Sequence, residues 1–211
     1  MTIRSGLHHL ESVSRETFGR LKQFEALLIK WNPAINLVSR TTISELWQRH
    51  FVDCAQLAKF LPVGHGTWVD LGAGGGFPGL VIAIIAAEVE PAIVVTLVES
   101  DLRKATFLRQ VCRETGIKTV VLSDRIEKLA PLGSSVISAR ALAPLSVLCG
   151  YAARHGTAES LAVFQKGATY QDELLAAKSP WEFDHEVHAS QTDPAGVTLA
   201  VRNIRPALTA C

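Results

Sequence analysis

The chain has 211 residues, of which 48% are hydrophobic, and its formal net charge at neutral pH is only +1. This length suffices for one α/β domain with a small appendage, and the apolar content excludes extensive disorder. No apolar run reaches the roughly 20 residues of a membrane-spanning helix, the N-terminus lacks a signal-peptide pattern, and the four cysteines form no C-x-x-C pair. We therefore expect a cytoplasmic, monomeric protein with no membrane segment and no metal site.

The first 60 residues have a helical pattern. Residues 14–30 carry apolar side chains at helical spacing, and we expect this helix to stop at Trp31-Asn32-Pro33, because proline disfavours continuation. Asn32 can cap the break. A second helix fits residues 43–60. The chain is thus divided into an N-terminal helical extension, residues 1–62, and a cofactor-binding domain, residues 63–211.

From residue 67 onward, short strands alternate with helices. Strands are predicted at 67–71, 93–98, 118–122, 134–138 and 161–165, helices at 77–87, 101–115 and 144–153, and two last strands near 182–188 and 197–203. Such alternation predicts a doubly wound α/β fold, in which a mostly parallel sheet is covered by helices on both faces.

The first strand runs into a glycine-rich turn that opens a helix. Asp70, Gly72, Gly74 and Gly76 form D-x-G-x-G-x-G, which resembles the first motif of class I methyltransferases; residues 74–79 also fit the G-x-G-x-x-G of NAD(P)-dependent reductases. No Lys or Arg occurs in residues 63–99. An acid before the glycines therefore favours S-adenosylmethionine, with its ammonium and sulfonium, over a pyrophosphate-containing cofactor. A purely structural glycine turn is the remaining alternative.

Two later turns extend the predicted cofactor site. Glu99 ends the second strand, where an acid can accept hydrogen bonds from ribose hydroxyls; alternatively it only caps the next helix. Asp124, Ile126 and Glu127 follow the third strand, at the turn that usually meets an adenine ring in this fold.

Several short strings, taken together, resemble the small-subunit ribosomal RNA methyltransferase G family. They are residues 30–32 with 36–39, 49–53, 72–79, 104–110 and 138–141, so that the resemblance covers roughly residues 20–170. The resemblance implies a Rossmann-like class I methyltransferase fold. It also implies methyl transfer from S-adenosylmethionine to N7 of guanine 527, in the 530 loop of bacterial 16S rRNA, with S-adenosylhomocysteine as product. The partner would be 16S rRNA, the 30S subunit or an assembly intermediate.

Carried over by position, Gly72 and Phe77 would line the cofactor site, Ile126 and Glu127 would meet the adenosine, and Arg140 would lie at the mouth of the site. Guanine N7 has a free lone pair and no proton, so the reaction requires positioning and no general base. We therefore assign no certain catalytic residue, and Arg140 is the candidate.

Basic side chains are the usual contacts for RNA phosphates. The predicted RNA-binding residues are Arg49, His50, Arg103, Lys104, Arg109 and Lys166. Two alternatives stay open here: His50 can be a structural hydrogen-bonding residue, and Arg49-His50 can form an internal ion pair with Asp53. For the whole chain, the alternatives are a non-catalytic RNA-binding or ribosome-assembly factor on the same fold, and an NAD(P)-dependent reductase.

Overall fold

The computed structural model describes residues 13–207. Residues 1–12 of the predicted extension and 208–211 of the predicted cofactor-binding domain lie outside the described residues.

A seven-stranded sheet with the order β3-β2-β1-β4-β5-β7-β6 forms the centre of the molecule. The first five strands are parallel, and β7 pairs antiparallel with both β5 and β6. The strands are β1 Gly66–Leu71, β2 Ile93–Val98, β3 Thr119–Leu122, β4 Ser134–Arg140, β5 Gly156–Lys166, β6 Trp181–Ala189 and β7 Val197–Pro206. The strand order reverses between β1 and β4, and ligands bind at the carboxyl ends of strands at such a switch point.

The regular helices are α1 Arg15–Ile35, α2 Gly79–Val89, α3 Leu102–Thr115, α4 Leu145–His155 and α5 Tyr170–Ala177. The predicted elements from residue 67 onward are present with shifted ends, whereas α5 was not predicted. The predicted doubly wound, mostly parallel α/β fold is confirmed.

The predicted end of the first helix before Pro33 was wrong. Helix α1 continues to Ile35 with Pro33 inside it and ends at Asn36, which has a left-handed conformation with φ 49°. Proline lacks one N–H, so Pro33 removes one intrahelical hydrogen bond, and the helix continues for only two residues beyond it. Asn32 is buried, and its Oδ1 accepts hydrogen bonds from the backbone N–H groups of Leu37 at 2.7 Å and Val38 at 2.9 Å. The side chain of Asn32 therefore closes the end of the helix.

The single helix predicted over residues 43–60 is a series of short helical turns, which we call the irregular segment. It consists of the 3-10 turn Arg40–Glu45, the π-helical turn Trp47–Val52, the α-helical turn Asp53–Ala55 and the 3-10 turn Gln56–Phe60. Phe51, Val52, Cys54, Ala55 and Leu57 are all buried. A regular amphipathic helix buries one stripe, and it cannot bury so many near-consecutive residues.

The described part of the predicted extension shares a hydrophobic core with the sheet. Leu21, Phe24 and Leu28 of α1 pack in one cluster with Phe51 and with Leu80 of α2, and all of them are fully buried. A second cluster, formed by α4, α5 and the opposite face of the sheet, covers the other side. No helix in residues 13–207 is long and apolar enough to cross a membrane.

Candidate active site

The glycine-rich loop after β1 contacts the end of α1. A Cβ atom on Gly75 would lie 2.9 Å from the carbonyl oxygen of Leu37, so only glycine permits this approach. Gly74 has a φ of +53°, and the nearest atom to a Cβ built there is the carbonyl oxygen of Gly72 at 3.7 Å. At Gly75 the loop is therefore held against Leu37, the residue that follows the C-cap of α1, and at Gly74 it is open to a ligand.

Asp70 is fully buried beneath this loop. Its Oδ2 accepts a hydrogen bond from the Gly79 N–H at 2.9 Å, and its Oδ1 accepts one from Ser138 Oγ at 2.7 Å. Burial raises the pKa of Asp70 to about 7, against the lowering effect of these two hydrogen bonds. Asp70 thus joins β1, β4 and the first turn of α2.

A cavity of about 580 Å³ lies at the carboxyl ends of β1, β2 and β4. Its wall contains the predicted cofactor-site residues Gly72, Gly74, Phe77, Glu99, Asp124, Ile126, Glu127 and Arg140. Two predicted residues, Asp70 and Gly76, are absent from the wall. A Cβ on Gly76 would lie 2.4 Å from Leu80 Cδ1, so Gly76, like Asp70, lies against the core.

Glu99 connects the glycine loop to the start of α3. The residue is 8% exposed; its Oε2 accepts a hydrogen bond from the Gly74 N–H at 2.8 Å, and its Oε1 accepts one from the Asp101 N–H at 2.7 Å. The N-cap of α3 is Asp101, whose side chain accepts from the N–H groups of Arg103 and Lys104. Glu99 is therefore a wall residue whose carboxylate also fixes the loop.

Several wall residues had no predicted role. Tyr151 of α4 reaches the cavity and donates a hydrogen bond to Glu127, and no pattern in the sequence distinguished it. Leu37 and Val38 also line the cavity; the string 36–39 was noted in the sequence, but its two apolar residues were given no function. The remaining wall residues are Ala73, Gly75, Val98, Ser100, Arg125 and residues 141–143.

Arg140, the last residue of β4, is bonded to the irregular segment. Its Nη1 donates to His50 Nδ1 at 3.1 Å, its Nη2 donates to the Arg49 carbonyl oxygen at 2.8 Å, and its Nη2 lies 3.4 Å from Asp53 Oδ2. Because a guanidinium only donates, His50 Nδ1 carries the lone pair, and Nε2–H donates to Thr42 Oγ1 at 3.1 Å. Burial, followed by the charges of Arg140 and Arg49, lowers the pKa of His50 to about 4.

The ion pair considered between Arg49-His50 and Asp53 is not present in the structure. Asp53 pairs with Arg140, whereas the Arg49 guanidinium lies 3.7 Å from Glu45 at the surface. His50 is a neutral hydrogen-bonding residue that lines the cavity.

The structure distributes the predicted RNA-binding residues over three environments. His50 and Lys104 line the cavity. Arg49, Arg103 and Arg109 are exposed. The side chain of Lys166 is only 9% exposed and lines a second, adjoining cavity of about 690 Å³. The six residues therefore do not form one cluster.

Asp53 is a central hydrogen-bond acceptor in the floor of the second cavity. Its Oδ1 accepts from the hydroxyls of Ser190 at 3.0 Å and Thr192 at 2.7 Å, and its Oδ2 accepts from Gln165 Nε2 at 3.0 Å. Through Asp53, the irregular segment holds together the end of β5, the β6–β7 connection and, by way of Arg140, the end of β4.

Among residues 13–207, no group of three or more His, Cys, Asp or Glu side chains is arranged to hold a metal ion.

The family model of rRNA small subunit methyltransferase G matches residues 18–197 of the chain. The chain belongs to this family. Ribosomal RNA small subunit methyltransferase G of Cereibacter sphaeroides is 49% identical over 191 residues, which cover 90% of this chain and 92% of that protein. The protein of the same name from Parvibaculum lavamentivorans is 50% identical over 197 residues, which cover 92% of this chain and 87% of that protein. As a member of the methyltransferase G family, the chain is an enzyme that transfers a methyl group.

Solved structures confirm the class I methyltransferase fold. A SAM-dependent methyltransferase from Aquifex aeolicus matches with a TM-score of 0.59 at 11% identity, over 84% of this chain and 97% of that chain. A mutant of MtNAS in complex with S-adenosylmethionine matches with a TM-score of 0.56 at 17% identity, over 87% of this chain and 71% of that chain. Likeness at this level of identity concerns the fold alone.

Proposed function

We propose that this member of the methyltransferase G family transfers the methyl group of S-adenosylmethionine to N7 of a guanine in the 530 loop of 16S rRNA and releases S-adenosylhomocysteine. The observation that carries this proposal is the cavity at the switch point of the sheet, whose wall combines the glycine loop, Glu99, the 124–127 turn and Arg140. Family membership supports the RNA substrate.

The wall of the cavity carries both hydrogen-bond acceptors and apolar surface. Three carboxylates, those of Glu99, Asp124 and Glu127, can accept hydrogen bonds, and Ile126 adds an apolar contact beside them; three cations, Lys104, Arg125 and Arg140, balance their charge. The volume of about 580 Å³ lies within the range of small-molecule pockets. We infer that Glu99 and the 124–127 turn hold the adenosine, and that the open side of Gly74 faces the amino-acid end of the cofactor.

The protonatable groups beside Arg140 fit a reaction that needs no general base. His50 is neutral, but its Nδ1 lone pair accepts from Arg140 and its Nε2–H is bonded to Thr42. Cys54 is fully buried, and burial raises the pKa of its thiol far above the usual range, so it is not a thiolate nucleophile. Guanine N7 carries no proton, and the enzyme therefore needs only to align N7 with the methyl group.

For the RNA, the exposed Arg49, Arg103 and Arg109 are the proposed phosphate contacts, with Lys104 at the edge of the cavity. The partner would be 16S rRNA, the 30S subunit or an assembly intermediate.

The test is methyl transfer from tritium-labelled S-adenosylmethionine to 16S rRNA and to 30S subunits from a strain that lacks this methylation. We expect label at one guanine of the 530 loop, located by the chain cleavage that reduction and aniline treatment produce at N7-methylguanine. As a control, the same RNA with 7-deazaguanine at that position should accept no label. Label on another atom would contradict the proposal, and RNA binding without transfer would favour a non-catalytic assembly factor.

A further inference from the structure

The second cavity adjoins the proposed cofactor cavity. Both are lined by Arg140, Ala141, Leu142 and Ala143, the residues that end β4 and follow it. Gln165 and Lys166 at the end of β5 and Thr198 at the start of β7 form other parts of the second wall. Because the two cavities share these four wall residues, a ligand in the second cavity would lie next to the cofactor.

An ion pair stands beside this shared wall. Lys166 Nζ donates to Glu173 Oε2 at 2.6 Å and to the carbonyl oxygen of Ala143 at 2.8 Å. The two side chains are 9% and 24% exposed, and both residues line the second cavity. Because Ala143 lines both cavities, the ion pair is close to the place where acceptor and methyl donor would meet.

The pair has unused hydrogen-bonding capacity. Lys166 has three N–H bonds, of which the two contacts above use two. Glu173 Oε2 also accepts from the Leu145 N–H at 2.8 Å, whereas no hydrogen bond between Oε1 and another residue of the described chain is found. One cationic donor and one carboxylate acceptor are therefore available side by side.

Guanine carries the complementary pattern on its Watson–Crick edge, where the O6 acceptor lies beside the N1–H donor. Adenine has the reverse pattern, with an amino donor beside the N1 acceptor. Enzymes that modify a base read this edge after taking the base out of the stack. N7 lies on the neighbouring edge and is left free by such contacts.

We propose that the second cavity receives the acceptor guanine, and that Lys166 and Glu173 recognise its O6 and N1–H. This inference rests on the proposed function. Asp53, another acid of the same cavity, does not take this role, because several protein groups already hold each of its oxygens: Ser190, Thr192 and Gln56 donate to Oδ1, and Gln165 and Arg140 lie at Oδ2. Asp193 also lines the cavity, but it forms no ion pair with a residue of the described chain and offers an acceptor alone.

The test is calorimetric titration of the protein, saturated with S-adenosylhomocysteine, with GMP, IMP and AMP. The saturating product keeps AMP out of the cofactor cavity. IMP shares O6 and N1–H with GMP, so both should bind at least about tenfold more tightly than AMP, the effect of one charge-assisted hydrogen bond. Lys166→Met and Glu173→Gln should each reduce this preference to less than about threefold.

Controls separate recognition from folding. Lys166→Arg and Glu173→Asp keep the donor and the carboxylate and should keep most of the preference. Arg205→Met and Glu182→Gln break an exposed ion pair of 2.8 Å on β6 and β7 and should leave the preference unchanged. Glu173 also accepts a hydrogen bond from the Leu145 N–H, so its replacement can destabilise the protein. The readout is therefore the ratio of the GMP and AMP affinities, because a loss of stability alone would weaken the binding of both nucleotides.

Equal binding of GMP and AMP by the wild-type protein, binding of neither, or an unchanged ratio in both variants would overturn the inference. Methyl transfer to 30S subunits is measured in parallel. If the protein methylates guanine N7 but neither substitution changes the ratio of GMP to AMP affinity, the proposed function stands and this inference is wrong. If the ratio depends on Lys166 and Glu173 but the protein transfers no methyl group, the recognition of guanine stands and the proposed function is wrong.

Discussion

Replacement of Arg140 by methionine should destabilise the protein and change the titration of a neighbouring side chain. The guanidinium donates to His50 Nδ1 and to the Arg49 carbonyl oxygen, and it lies 3.4 Å from Asp53 Oδ2. Methionine fills a similar volume but provides no donor. The variant therefore removes the contacts between the end of β4 and the irregular segment while keeping much of the packing.

The expected loss follows from the contacts. Two charge-assisted hydrogen bonds contribute about 1.5–3 kcal/mol each when well shielded. Since the side chains of Arg140 and Asp53 are 22% and 13% exposed, solvent reduces these values, and the long ion pair adds little. We expect Arg140→Met to lower the free energy of unfolding by about 3 kcal/mol. For a chain of this size, that corresponds to a fall in Tm of roughly 6–12 °C.

Thermal and urea unfolding measure the stability, and NMR titration measures the pKa of His50. Arg140 is one of the charges that hold this pKa near 4, so the pKa should rise in the variant, although burial and Arg49 keep it below 6.5. In the wild-type protein, the lowered pKa of His50 contributes stability that is present above pH 6.5 and is lost as the pH falls towards 4. That loss should be smaller in Arg140→Met.

Arg205→Met is the matched control, because it removes an arginine from an exposed ion pair with Glu182 and should cost less than about 1 kcal/mol. The reasoning fails if Arg140→Met loses no more stability than this control and His50 titrates as in the wild-type protein. Methyl transfer should fall more than the fraction of folded protein does, since Arg140 lies between both cavities.

Three further substitutions test the glycine loop and the end of α1. Gly74→Asp should abolish S-adenosylmethionine binding in calorimetry, because its carboxylate would extend into the open side of the loop; a folded variant with wild-type affinity would contradict the placement. In the folded wild-type protein the pKa of Asp70 is about 7, above its ordinary value of 3.8. The wild-type protein should therefore lose stability as the pH rises from about 4 to 7, relative to Asp70→Asn, in which this position does not titrate. Urea unfolding at pH 5 and pH 8 should show that shift, and a constant difference would refute it. Asn32→Ala leaves the buried N–H groups of Leu37 and Val38 without their acceptor and should cost about 2–4 kcal/mol in unfolding experiments; a loss below about 1 kcal/mol would show that another group satisfies them.

The fold class and the approximate position of the glycine-rich loop could both be predicted from the sequence. Alternating strand and helix periodicities arise from which face of each element is buried, and glycines mark turns where side chains do not fit. Such signals are local, so the strands and regular helices from residue 67 onward, with the exception of α5, were predicted to within about five residues at each end. The loop glycines and Glu99 were selected by the same kind of pattern, and their roles in cofactor binding stay a prediction.

Which of those residues line the cavity and which lie beneath it depends on long-range packing. Asp70 and Gly76 belong to the same motif as Gly72 and Gly74, yet both lie against the core, because Asp70 is hydrogen-bonded to Gly79 and Ser138 beneath the loop and Gly76 packs on Leu80. Local sequence rules also failed to predict that α1 continues through Pro33. The packing of the apolar face of this helix outweighs the one hydrogen bond that proline removes.

Contacts between distant segments were invisible in the sequence for a simple physical reason. Arg140 meets His50 and Asp53 because the end of β4 lies beside the irregular segment, and Lys166 meets Ala143 because β4 and β5 are neighbouring parallel strands. Sequence spacing carries no record of such neighbours, whereas the strand order determines them.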